Sequence, residues 1–275
     1  MEKMIEKISN KGIQTHIKEM DKKYYFHTKE SVDGTIVYEK PLSNLDKFEK
    51  IFEDTIVEVE PSSLEHYLER ALKQTNDKLA VVNPASFNDP CNMLLSNRPF
   101  GNPDGIEELL CANTNLANIL YLFKNTFYEY NKHNELFTGL YSSRSLFIPD
   151  VIYETASENI LKFNVISISP PNGAKFKKSV LINPLNATKK IYTAYSMRIE
   201  MILNVAYENG ITNLVISGFG SESKYVDPSI VCDIFKKYLN GRYKNVFEKI
   251  VFCIGDKKYE DIYNKFNYEF VIERR

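Results

Sequence analysis

Over the first fifty positions apolar and charged residues alternate irregularly (IQTHIKEM, KKYYFHTK, GTIVYEK). This pattern predicts no more than a small helix with hairpin-like strands, an N-terminal extension over 1–50 ahead of a main domain over 51–275. From Thr55 the pattern sharpens. TIVEVE reads as a strand, and Ser62 with Glu65 has the capping-box spacing ahead of LEHYLERALKQ, where Leu64, Leu68, Ala71 and Leu72 make an apolar stripe. Leu79 to Asn83 is a continuous apolar run, as expected of a strand buried on both faces. It opens into PASFNDPCNMLLSNRPFGNPDG, a Pro- and Asn-rich loop whose length reads as functional or disordered, its place directly after a central-looking strand favouring function. A helix is predicted over Ile106 to Lys124, then strands over Val151–Glu154 and Val165–Ser169. A helix from Ser196 to Glu208 follows, closed by Gly210, and then a strand over Leu214–Ile216. The helix Pro228–Leu239, capped by Asp227, leads to a strand over Lys249–Cys253 and a short helix–strand tail from Tyr259 to Glu273. Such alternation predicts an α/β sandwich with a largely parallel sheet.

Composition narrows the functional classes. Lys and Arg (35) nearly balance Asp and Glu (36), so no global charge favours nucleic acid or an anionic membrane. The N-terminal MEKMIEKISNKG is charged and no apolar run approaches ~18 residues, which predicts a cytoplasmic protein without a membrane span. Cys91, Cys111, Cys232 and Cys253 are far apart and lack CxxC spacing; they are expected as reduced, buried thiols, with no zinc site. His16, His27, His66 and His133 are dispersed and fall outside the candidate loops. The tyrosine-rich stretch Tyr121–Tyr141 fits core packing better than a stacking surface.

In open parallel sheets ligands lie beyond the carboxyl ends of the strands, so the loops after Asn83, Ser169 and Ser217 form one candidate site. In the last of them, ISGFGSESKYVDP, Gly218 and Gly220 allow positive φ and close approach of backbone amides to an anion. The same stretch also reads as a tight strand-to-helix connection that needs no ligand. It lacks GxGxxG and gives no dinucleotide fingerprint. Cys91 lies in the loop after Asn83, either as a nucleophile or as a small residue of no chemical role.

From about Thr55 to Ile254 the chain resembles the microbial type of poly(ADP-ribose) glycohydrolase, a macrodomain-like family. The resemblance is carried, in order, by TIVEVEPSSLEHYLERAL, VVNPASFNDP, GIEELLCANTNL, LFIPDVIYE, VISISPPNG, RIEMILNVAYENGITNLVISGFG, DPSIVCDIFKKYL and IVFCI. It implies a three-layer α/β/α sandwich with a mixed, largely parallel sheet. It also implies binding of ADP-ribose and hydrolysis of the glycosidic bond at the distal ribose C1, without cofactor or metal. Glu107 and Glu108 match the paired glutamates, Glu108 as the catalytic one and Glu107 orienting the ligand. An oxocarbenium-like transition state needs a carboxyl group that protonates the leaving oxygen and then activates water. Without the resemblance the pair reads as first-turn acids favoured by the helix dipole. Asn83, Ala85, Ser86, Asp89 and Asn92 fall in the first ligand-binding loop, and Pro171 in the second. Gly218, Phe219, Gly220, Ser221 and Tyr225 fall in the third.

The chain departs from that pattern where the family has three consecutive glycines; here stand Cys91, Asn92 and Met93. Ile106 replaces a glutamine, and Glu222 and Tyr225 replace later glycines of the third loop. Three readings follow: a hydrolase acting on an ADP-ribosylated protein, nucleic acid or small molecule; an ADP-ribose reader without turnover; and an interaction protein that keeps only the fold.

Overall fold

The computed structural model describes residues 10–40, 48–73, 78–87, 89–91, 105–134, 138–154, 160–182, 185–221, 225–255 and 259–272. Its framework is a seven-stranded sheet in the order β1-β4-β5-β3-β6-β7-β2. The strands are β1 (Ile36–Tyr38), β2 (Ile56–Glu60), β3 (Leu79–Pro84), β4 (Ser145–Glu154), β5 (Ile160–Ile168), β6 (Asn213–Ile216) and β7 (Lys249–Cys253). Strands β5, β3, β6, β7 and β2 run parallel, and β4 and β1 complete one edge antiparallel.

Alternation within the central strands divides the core between two faces. Ala80 and Val82 of β3 belong to one apolar cluster, and Leu79 and Val81 to the other. The first cluster is closed by α6 (Gly173–Ile182), α7 (Ala187–Glu208), α8 (Pro228–Asn240), α9 (Glu260–Asn267) and a π-helical turn, Tyr268–Ile272. The second is closed by α2 (Leu64–Ala71), α3 (Ile106–Asn113), α4 (Leu116–Leu122) and a π-helical turn, Lys124–Glu129, which runs into the short α5 (Tyr130–His133). The architecture is a three-layer α/β/α sandwich with a mixed, largely parallel sheet.

Several local expectations need correcting. The N-cap of α2 is Ser63, whose side chain accepts from the His66 amide, not Ser62. The helix expected over 106–124 is interrupted at Thr114, whose extended backbone ends α3. The tail after Tyr259 holds no strand among the described residues, because α9 continues directly into a π-helical turn. Within the first fifty residues, α1 (Asn10–Asp33) is 24 residues long, and β1 joins β4 as the sheet edge instead of forming a hairpin. By contrast, Asp227 caps α8 through the Ser229 amide at 2.9 Å with Pro228 in the first turn, and Gly210 lies just past the end of α7. Among the described residues no helix is long and apolar enough to cross a membrane.

Candidate active site

β3 lies between β5 and β6, so the chain's path through the sheet reverses on either side of it. The ends of these three strands bring the predicted loops together. The Ala85 amide extends the β3–β5 ladder by donating to the Ile168 carbonyl at 3.0 Å. Beyond it the loop turns over the start of α3, where the Ser86 amide donates to Glu107 Oε2 and the Cys91 amide to Glu107 Oε1 at 3.2 Å. The Tyr128 hydroxyl, from the π-helical turn, donates to the same Oε1.

Glu107 is only 2% exposed, and burial, reinforced by the neighbouring Glu108 charge, pushes its carboxyl up to about 8 against the pull of these three donors. Glu108 is 8% exposed, and burial raises its pKa as well. Among the described residues its carboxylate takes no side-chain partner. Adjacent glutamates on one helix thus have different surroundings: Glu107 takes donors from three other residues, and Glu108 only its own backbone amide. Different surroundings of this kind set neighbouring carboxyls apart in their titration.

Cys91 and Cys111, expected as reduced thiols, are joined in a disulfide with a Cα–Cα separation of 6.3 Å. Their 20-residue spacing matches no motif, and only the fold of the loop over α3 brings them together. Cys91 therefore offers no thiolate nucleophile. Its φ of +52° is the left-handed backbone that favours the glycine of the resembling family. Cys232 and Cys253 remain free and buried.

The turn after β6 gives its second glycine a backbone and packing reason. Phe219 and Gly220 have φ of +47° and +86°, and the Ser221 amide closes the turn on the Gly218 carbonyl at 3.0 Å. Positive φ thus falls on Phe219 and Gly220, not on Gly218. A Cβ at Gly220 would lie 2.8 Å from the Tyr195 hydroxyl and 3.1 Å from Pro170 Cβ, so this glycine already meets a packing demand of the protein. Phe219 is fully buried beside Tyr195, with ring centroids 6.4 Å apart; its ring fills the core instead of facing a ligand.

The remaining candidates occupy different settings. Asn83 donates to Ser167 Oγ at 3.0 Å, while Asn83 Oδ1, Ser86 Oγ and Ser221 Oγ are buried without a protein partner among the described residues. Three unpaired acceptors at the ends of β3 and β6 are the feature a polar ligand would satisfy. Pro171 is buried, and Asn172 caps α6 by accepting from the Lys175 amide at 3.0 Å. Asp89 points to Lys124 at 3.1 Å, and Tyr225 lies 5.7 Å from Lys177 Nζ. Asn92, Met93, Glu222 and Lys224 lie outside the described residues.

Sequence reasoning missed the supports of the site. Ser169 Oγ donates to the Ser86 carbonyl at 3.1 Å, and Arg198, buried at 2% exposure, donates through Nε to the Ser169 carbonyl at 2.9 Å. Of the stretch expected to pack in the core, Tyr128 does so while Tyr121 is exposed; a buried tyrosine hydroxyl needs a partner, and that requirement was the available signal.

No protein-family model matches the chain, and no curated protein matches it in sequence. Solved structures do. Poly(ADP-ribose) glycohydrolase from Deinococcus radiodurans in complex with ADP-ribose superposes with a TM-score of 0.75 at 21% identity, covering 89% of this chain and 97% of that one. The Thermomonospora curvata enzyme gives a TM-score of 0.79 at 20% identity over 95% and 99%. Its complex with the inhibitor ADP-HPD gives 0.76 at 20% identity, again over 95% and 99%. The three-layer sandwich built here is therefore the fold of the bacterial poly(ADP-ribose) glycohydrolases.

Proposed function

We propose that the chain binds ADP-ribose beyond the ends of β3, β5 and β6 and hydrolyses the glycosidic bond at its distal ribose C1. Glu108 is the general acid that protonates the leaving oxygen and then, as carboxylate, activates water. The observation that carries this reading is the division of labour at the start of α3: Glu107 is held by Ser86, Cys91 and Tyr128, and Glu108 is not. Burial raises the pKa of Glu108, the direction that favours a carboxyl acting as general acid. The unpaired Asn83, Ser86 and Ser221 oxygens supply acceptors for ligand hydroxyls. The test is release of ADP-ribose from poly(ADP-ribose) by wild type and Glu108→Gln, with ADP-ribose binding followed in both. Glu108→Gln is expected to bind and not turn over; undiminished turnover would sink the assignment.

One observation favours a second reading, a reader without turnover. Glu107, which the family resemblance assigns to orienting the ligand, is filled by protein donors and faces no solvent. Binding of ADP-ribose by the wild type with no release from any conjugate is the outcome that selects it.

A further inference from the structure

The π-helical turn Lys124–Glu129 places two consecutive residues, Phe127 and Tyr128, wholly inside the second apolar cluster. Phe127 needs no partner there. Tyr128 brings a hydroxyl, and it ends on the one carboxylate of the pair that is filled. π-helical turns are rare and concentrate at functional sites. Resting on the reading above, we propose that Tyr128 is a positioning residue of the site: with the Ser86 and Cys91 amides, its hydroxyl fixes Glu107 as an unreactive anchor between loop and helix, so that the start of α3 presents Glu108 alone to the ligand.

The geometry is that of a clamp. Glu107 Oε2 takes the Ser86 amide, and Oε1 takes both the Cys91 amide and Tyr128, so one carboxyl ties the loop after β3, α3 and the π-helical turn. Since Glu108 is the next residue, any rotation of the first turn that frees Glu107 also moves Glu108. The groups facing Glu107 are Glu108 on its own helix and Tyr128 opposite; Asp89 on the loop, itself paired with Lys124, acts on Tyr128. Cys111, one turn on, is held in the disulfide and does not titrate. Burial keeps the Tyr128 hydroxyl protonated well beyond its ordinary range, so it remains a donor across the working pH. Losing that donor leaves Glu107 with less support for its charged form.

The test uses the full chain and two readouts. Carboxyl carbon NMR, with the Glu107 signal assigned by its loss in Glu107→Gln, follows the anchor without any turnover. The wild-type signal is expected to titrate near 8, and in Tyr128→Phe to move up by about 1 pH unit, the size of one lost hydrogen bond to a charged group. Steady-state release of ADP-ribose from poly(ADP-ribose) then separates positioning from packing: Tyr128→Phe is expected to lower kcat about tenfold or more with KM within about twofold. A Glu107 midpoint unmoved by Tyr128→Phe overturns the anchor. Unchanged kcat in the variant overturns the positioning role. If the wild type releases nothing, the proposed reaction fails while the titration still decides the anchor, and if Tyr128→Phe does not fold, a Tyr128 ring-carbon NMR signal that is the same in wild type and Glu107→Gln overturns it.

Discussion

At the scale of single residues the proposed chemistry rests on the pair Glu107–Glu108, both buried and both raised in pKa, with donors from other elements on Glu107. Glu107 has a folded pKa of about 8, above the ordinary carboxylate value, so the native chain holds a proton there that the unfolded chain has already lost. The sign follows: the stability contributed by the protonated form is fully present below about pH 4.3 and is lost as pH rises through about 8, at a slope of about 1.4 kcal/mol per pH unit. Urea unfolding of wild type against Glu107→Gln should show the wild type losing ground from about pH 5 to about pH 8 and the difference levelling off above it. A pH-independent difference would place Glu107 outside this environment. Gly220 makes a second residue-level case. Its φ of +86° and the neighbouring Pro170 predict that Gly220→Ala costs roughly 1–2 kcal/mol before any ligand is added, measurable by denaturant titration. A neutral result would mean the turn relaxes freely.

At the scale of elements the Cys91–Cys111 bridge joins the site loop to α3 across a separation of 20 residues. Closing a loop of that length constrains the unfolded chain by about 3 kcal/mol in the chain-entropy account. The paired substitution Cys91→Ser with Cys111→Ser is expected to lower unfolding free energy by roughly 2–3 kcal/mol. Stability equal to wild type would show that the bridge is not formed in solution.

Elements with a strong local signal were legible: β2, β3, β6, β7 and the Asp227–Pro228 start of α8 fall where the pattern puts them. Their signals, continuous apolar runs and a capping pair, are set within a few residues. What escaped depends on distance. The turn from α3 to α4 is fixed by Asn115, whose amide side chain reaches Thr28 of α1 and accepts from the Ile152 amide of β4. The π-helical ends leave no periodicity distinct from an α-helix. Among the candidate site residues, the placement of Glu107 and Glu108 at the start of a helix was legible from the sequence, whereas the ties from Tyr128, Ser169 and Arg198 arise only once the sheet has brought distant segments together.

At the scale of the whole molecule the candidate loops are carried by one seven-stranded sheet with β3 at its middle. One packing point makes this testable. Gly255, just past β7, passes so close to the β2–α2 connection that a Cβ there would lie 2.0 Å from the Ser62 carbonyl carbon. Backbone on both sides leaves no flexible end to yield, so Gly255→Ala is expected to abolish or severely reduce the cooperative unfolding transition seen by calorimetry. A native-like transition would mean that this edge of the sheet can part. The most direct measurement of the central claim is the time course of ADP-ribose release from poly(ADP-ribose) by wild type and by Glu108→Gln, each first shown to be stabilised by ADP-ribose. At about a hundred times the dissociation constant, ADP-ribose should raise Tm by roughly 5–10 °C in both. The account predicts release by the wild type and a loss on the order of 10² to 10⁴-fold in Glu108→Gln. Equal release by the two proteins, or none by either, would contradict it.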